Sequence, residues 1–129
     1  MKRPILMIED NEQNRYLVKF LLEKNGHEVE IATDGPMGLQ MAAAGSYACV
    51  LLDIQLPTMD GYEVARHLRQ LEPLNGIPVI AVTSYAMTGD REKALAAGCD
   101  GYIEKPIDPD RFVAQVECFI SQGRMEGAK

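Results

Sequence analysis

Long apolar stretches are missing from this sequence. No run approaches the ~18 consecutive apolar residues that mark a bilayer span, so no transmembrane helix is expected. Only Ile5 to Ile8 separate the basic start Met1-Lys2-Arg3-Pro4 from Glu9 and Asp10, too short a run for a secretion signal. A cytoplasmic protein is therefore expected. Positive charge is scarce too: 13 Lys and Arg face 19 Asp and Glu, a formal net charge of -6. That balance disfavours nucleic-acid binding through a basic surface and docking on anionic lipid. The three cysteines, Cys49, Cys99 and Cys118, are odd in number, far apart and form no CxxC pair. Reduced core or surface thiols are the expectation. Phosphate-cradling loops are absent as well. There is no GxxxxGK[ST], and no GxGxxG follows the first apolar run, which argues against a nucleotide or flavin module.

What is present is 129 residues, 47% of them hydrophobic, enough for one domain with a real core. Short apolar runs alternate with helical stretches. Strands are expected at Pro4–Ile8, Glu28–Thr33, Ala48–Leu52, Pro78–Thr83 and Gly101–Ile103. Helices are expected at Asn11–Asn25, Pro36–Ala44, Gly61–Leu71, Thr88–Ala97 and Asp108–Ser121. Asn11 and Thr88 are plausible N-caps, and Gly26, Gly45 and Gly98 plausible stops. The first helix carries Leu17, Phe20, Leu21 and Lys24 on one side; the last carries Phe112, Val116, Phe119 and Ile120. Strict alternation predicts parallel pairing, right-handed crossovers and helices on both faces, a three-layer α/β domain. In that class ligands sit beyond the carboxyl ends of the strands. Residues 1–122 are expected to form the domain, with 123–129 a frayed tail.

Polar residues gather at those strand ends. Glu9 and Asp10 end the first strand, Asp53 the third and Thr83 the fourth, while Lys105 follows the fifth. Two unit charges 4 Å apart repel by ~1 kcal/mol in water and ~4 kcal/mol at an effective dielectric near 20. Three carboxylates at one edge must therefore bind a cation, take up a proton, or both. Few carboxylates, with positions open for water and phosphate, suit Mg²⁺ better than Ca²⁺. Lys105 and Thr83 can meet phosphate oxygens, and Asp53 can attack phosphorus in line to give an acyl phosphate.

In order and at this spacing, Ile8-Glu9-Asp10-Asn11, Leu52-Asp53-Ile54-Gln55-Leu56-Pro57-Thr58-Met59-Asp60-Gly61, Ala81-Val82-Thr83-Ser84 and Tyr102-Ile103-Glu104-Lys105-Pro106 form a specific set. With them the chain resembles the receiver domains of two-component response regulators over residues 4 to 122. The resemblance implies a flavodoxin-like (βα)5 sheet of order 2-1-3-4-5. It makes Asp53 the phosphorylated residue and Lys105 the phosphoryl contact. Glu9, Asp10, Asp53 and the backbone carbonyl of Gln55 would hold Mg²⁺. Thr83 and Tyr102 would be a switch pair acting on the fourth helix, fifth strand and fifth helix, and the Lys105–Pro106 bond would be cis. Gln55 and Tyr85 would flank the path of water to the phosphoryl group. The implied partners are a histidine kinase or histidine phosphotransfer protein and downstream protein targets, without nucleic acid or membrane.

The acidic pair is Glu-Asp rather than Asp-Asp, a variation the family accepts. The stretch Tyr85 to Lys93 looks like hybrid-kinase receivers and stand-alone DivK-type regulators, and no output domain is expected. His27 and His67 read as surface residues, since the phosphorylated histidine belongs on the partner. Tyr16 and Phe20 are core or docking residues; Asn14, Arg15 and Leu17 are candidate partner contacts by family analogy. The alternative is a Mg²⁺-dependent phosphatase-like enzyme on the same scaffold. Such chemistry usually wants an acid two residues after the nucleophile, where this chain has Gln55.

Overall fold

Strands and helices alternate along the chain: β1 (Ile5–Ile8), α1 (Glu12–Lys24), β2 (Val29–Ala32), α2 (Gly35–Ala44), β3 (Cys49–Asp53), α3 (Gly61–Gln70), β4 (Val79–Thr83), α4 (Asp90–Ala96), β5 (Gly101–Glu104) and α5 (Phe112–Gln122). The structure is a computed structural model and describes residues 3–56, 59–71, 76–83 and 90–122. All strand pairs are parallel, in the order β2-β1-β3-β4-β5. The expected fold class and strand order are those observed.

The central strands β1, β3 and β4 are buried at every position. Their side chains alternate between two cores, because successive residues of a strand point to opposite faces. Leu6, Ile8, Val50, Leu52, Val79 and Ala81 pack on one face with Ala42 of α2, Val64, Ala65 and Leu68 of α3, and Ala94 of α4. Ile5, Met7, Cys49, Leu51, Ile80 and Val82 pack on the other with Val18, Leu21 and Leu22 of α1 and Phe112 and Val116 of α5. Continuous apolar runs are what a sheet covered on both sides requires. The edge strands β2 and β5 mix buried and accessible positions.

Caps set most helix starts. Asn11 accepts from the Asn14 N–H, Asp34 from Met37 and Asp60 from Tyr62. Because Asp34 caps, α2 begins at Gly35, one residue before the expected start. At the end of α1, Gly26 takes φ 90° and the His27 N–H reaches the Leu22 carbonyl at 3.0 Å, a left-handed stop that only glycine adopts freely.

Two expectations need correction. The buried stripe of α1 is Val18, Leu21 and Leu22, with Leu17 packed at its margin, whereas Lys24 is exposed and Phe20 is 52% exposed. The register of the helix is set by packing on the sheet, which a spacing of three and four leaves ambiguous. Helix α5 starts at Phe112 rather than Asp108, because the Asp108 side chain and carbonyl close a turn onto the N–H groups of Asp110, Arg111 and Phe112. Helix α4 is described from Asp90, so the proposed Thr88 cap lies outside the described residues, as do Tyr85 and the 123–129 tail. No helix among the described residues is long and apolar enough to cross a membrane.

Candidate functional site

Strand order reverses between β1 and β3, which leaves a crevice above their carboxyl ends. Register fills it. Ile8 pairs with Leu52, so one step further Glu9 and Asp53 stand side by side. Thr83 pairs with Glu104, and the Lys105 N–H donates to the Thr83 carbonyl at 2.8 Å, which brings Lys105 to the same edge. Glu9, Asp53 and Thr83 are all buried, while Asp10 is exposed at the rim. Ligand oxygens of Glu9, Asp10 and Asp53 lie within 4.8 Å of one another. The Lys105 ammonium sits 3.1 Å from Glu9 and 3.4 Å from Asp53.

The turn after β3 holds Asp53 in place. Asp53 Oδ1 accepts the Gln55 N–H at 3.0 Å, and the Gly61 N–H closes the loop onto the Ile54 carbonyl at 3.1 Å. A Cβ at position 61 would lie 2.4 Å from Ile54 Cα. Only glycine permits that approach, so Gly61 shapes the site although it contributes no chemistry.

Three carboxylates against one ammonium leave the pocket short of positive charge. The Glu9 carboxyl shows the strain: its pKa is pushed up to about 7, first by burial and then by its hydrogen bond and charge contact with Asp53, against the opposing pull of Lys105. Glu9 Oε2 accepts the Asn11 N–H at 3.2 Å. Glu9 Oε1 is buried without a well-aligned hydrogen bond, although Lys105 Nζ is nearby. A buried, underbonded carboxylate oxygen beside two more carboxylates is the donor set a hard divalent cation takes. The residues fit such an ion.

The remaining sequence candidates divide. Tyr102 is half-buried on β5 and packs against the core face that includes Leu52 and Ala81. The Lys105–Pro106 bond is cis. Tyr16 and Phe20 are both exposed and stack with ring centroids 6.4 Å apart, so they are not core residues. His27 bonds Glu117 of α5 at 2.8 Å, and His67 is exposed. Cys49 and Cys99 are buried free thiols whose pKa burial raises to about 12; Cys118 is exposed. Arg15, a candidate partner contact by family analogy, instead turns its guanidinium to the carbonyls of Glu9 and Asp10. A signal was available: a cation in the first turns of a helix works against the helix dipole, which suggests another task.

A parallel five-stranded sheet with this pocket at its switch point is the architecture of a signalling receiver, and the comparisons agree. The family description "Response regulator receiver domain" matches residues 5–117, and the chain belongs to that family. Among named relatives, the polar-differentiation response regulator DivK of Brucella ovis is 39% identical over 120 residues, covering 93% of this chain and 98% of DivK. A CheY-like receiver structure from Methanospirillum hungatei superposes with a TM-score of 0.88 at 32% identity, covering 98% of this chain and all of that one. The receiver domain of a sensor histidine kinase from Pseudomonas aeruginosa, solved with a magnesium ion in its active-site cleft, gives 0.85 at 32% identity over 94% of this chain and 99% of its own. The protein is thus a phosphorelay response regulator, a signalling domain and not a conventional enzyme. Receivers act with histidine kinases or phosphotransfer proteins and with downstream targets. The phosphatase alternative finds no support in these matches.

Proposed function

We propose that Asp53 accepts a phosphoryl group from the phosphohistidine of a kinase or phosphotransfer protein, and that the resulting acyl phosphate switches the domain toward its protein targets. One observation carries the reading: buried Asp53 lies 3.4 Å from Lys105 and shares a 4.8 Å cluster with Glu9 and Asp10. Glu9, Asp10, Asp53 and the Gln55 carbonyl would hold Mg²⁺, which when bound neutralises charge on the transferring phosphoryl oxygens. An Asp53 carboxylate oxygen forms the new O–P bond as the P–N bond to imidazole breaks, and the imidazole leaves with its electron pair. Lys105 offers a point charge to a phosphoryl oxygen, and the Thr83 hydroxyl can donate to another. Burial of Asp53 and Thr83 limits the access of water.

Phosphorylation adds negative charge and acceptor oxygens beside Lys105 and Thr83. Moving a population from 1:99 to 99:1 needs ~5.5 kcal/mol, and a few charge-assisted bonds at ~1.5–3 kcal/mol each suffice. Thr83 and Tyr102, on adjacent strands, would carry the change to the surface formed by α4, β5 and α5, with the Pro106 turn beside them. Action in the cytoplasm follows from this partnership, and likeness to DivK favours output through protein contacts. The test is phospholabelling by acetyl phosphate or a phosphorylated histidine kinase, with and without Mg²⁺. Label should require Mg²⁺ and vanish in Asp53→Asn; equal labelling of that variant would remove the assignment.

A further inference from the structure

The exposed member of the acidic cluster lacks a side-chain anchor. Asp10 sits at the rim, and its carboxylate makes no hydrogen bond among the described residues. Glu9 and Asp53 both repel it. Its place within the 4.8 Å cluster is therefore set by backbone. That backbone is gripped from α1: a single Arg15 nitrogen, Nη1, donates to the Asp10 carbonyl at 2.7 Å and to the Glu9 carbonyl at 3.3 Å. The same turn is tied by the Asn11 N–H to Glu9 Oε2 and by the Asn11 side chain to the Asn14 N–H. Carbonyls thus face the guanidinium while carboxylates face the pocket.

We propose that Arg15 is a positioning residue for the metal pocket: it clamps the β1–α1 turn so that Asp10 and Glu9 are set for a divalent cation before one arrives. The inference rests on the reading of the pocket as a Mg²⁺ site. It carries a sign that separates clamp from charge. A nearby guanidinium repels Mg²⁺, so if its charge were all that mattered, Arg15→Ala would tighten binding. Loss of a clamp weakens it, because the ordering cost then falls on the binding step. Partners that orient metal ligands are worth roughly 10–100-fold in affinity.

The experiment titrates the whole protein with Mg²⁺ alone by calorimetry, and follows amide hydrogen exchange in the metal-free protein by NMR. Arg15→Ala should bind Mg²⁺ roughly tenfold or more weakly. Its Asn11 amide should exchange faster, while the Ile5 amide at the far end of β1, bonded to the Glu28 carbonyl, keeps its wild-type rate. Arg15→Lys, which retains a charged donor, should recover part of both effects. Unchanged or tighter Mg²⁺ binding in Arg15→Ala overturns the positioning role, and unchanged Asn11 exchange overturns the clamp. Wild-type protein that takes up no Mg²⁺ at millimolar concentration would instead sink the pocket reading, and the exchange arm would still decide the clamp.

Discussion

Two clusters of buried charge sit at opposite edges of the same sheet, and they are built on opposite principles. At the amino edge, Asp100 precedes β5 and is 6% exposed. Its Oδ2 accepts the Val79 N–H at 3.0 Å and lies 3.6 Å from Arg69 Nη1, while Arg69 Nη2 donates to the Ile77 carbonyl at 2.6 Å. Here a cation faces an anion, and each also bonds a backbone group. At the carboxyl edge, Glu9, Asp10 and Asp53 share Lys105. The first cluster sets a cation against the anion and ties the starts of β4 and β5 to α3. The second is short of one or two positive charges and can be completed only from outside. Similar residue types make a joint in one place and a binding site in the other, and charge balance decides which.

The sharpest way to break this contrast is to remove one carboxylate from each edge. Asp100→Ala should cost about 3–5 kcal/mol of stability, because it removes both the carboxylate facing the largely buried Arg69 guanidinium and the acceptor of the Val79 N–H. Denaturant unfolding measures this, and a loss below ~0.5 kcal/mol would mean that the amino-edge pair is no joint. A smaller effect follows from pH. The Glu9 pKa is raised from 4.5 to about 7 in the folded protein. Between those values the folded state holds a proton that the unfolded state has released, so metal-free stability should fall as pH rises from 4.5 to about 7. The slope is at most one proton's worth, ~1.4 kcal/mol per pH unit. Unfolding midpoints in chelator across that range should show the slope in wild type, and Glu9→Gln should flatten it. An unchanged slope in Glu9→Gln would assign it to other groups.

The sequence exposed the site better than the helix that supports it. Strand ends are readable because apolar runs stop at a charged residue: Val50-Leu51-Leu52 gives way to Asp53, and Leu6-Met7-Ile8 to Glu9. Parallel pairing then brings those residues together without any knowledge of side-chain contacts. The α1 register was not readable, since Leu17, Val18, Phe20, Leu21 and Leu22 offer several overlapping apolar stripes and only packing on Ile5, Met7 and Leu51 selects one. The roles of Gly61 and Arg15 were hidden for a related reason. Both act on backbone, one by fitting against Ile54 and the other by bonding carbonyls, and although a glycine and a misplaced cation hint at such tasks, neither names the backbone atoms it serves.

The finest test asks whether the carboxyl edge is truly repulsive when empty of metal. Asp53→Asn removes one anion, keeps an Oδ1 acceptor for the Gln55 N–H, and leaves Lys105 its closer partner Glu9 at 3.1 Å. Nothing is stranded, so the variant should be more stable than wild type in chelator by about 1 kcal/mol, well under the ~4 kcal/mol of a bare like-charge pair at 4 Å because Lys105 already offsets part of the repulsion. Saturating Mg²⁺ should reverse the order. Ligand that binds only the folded state stabilises by RT ln(1 + [L]/Kd), and the variant has lost a ligand for the ion. Thermal melts of both proteins with chelator and with Mg²⁺ give the four values needed. If wild type is the more stable of the two in chelator, the carboxyl edge is balanced after all, and the distinction between joint and binding site must rest on something other than charge.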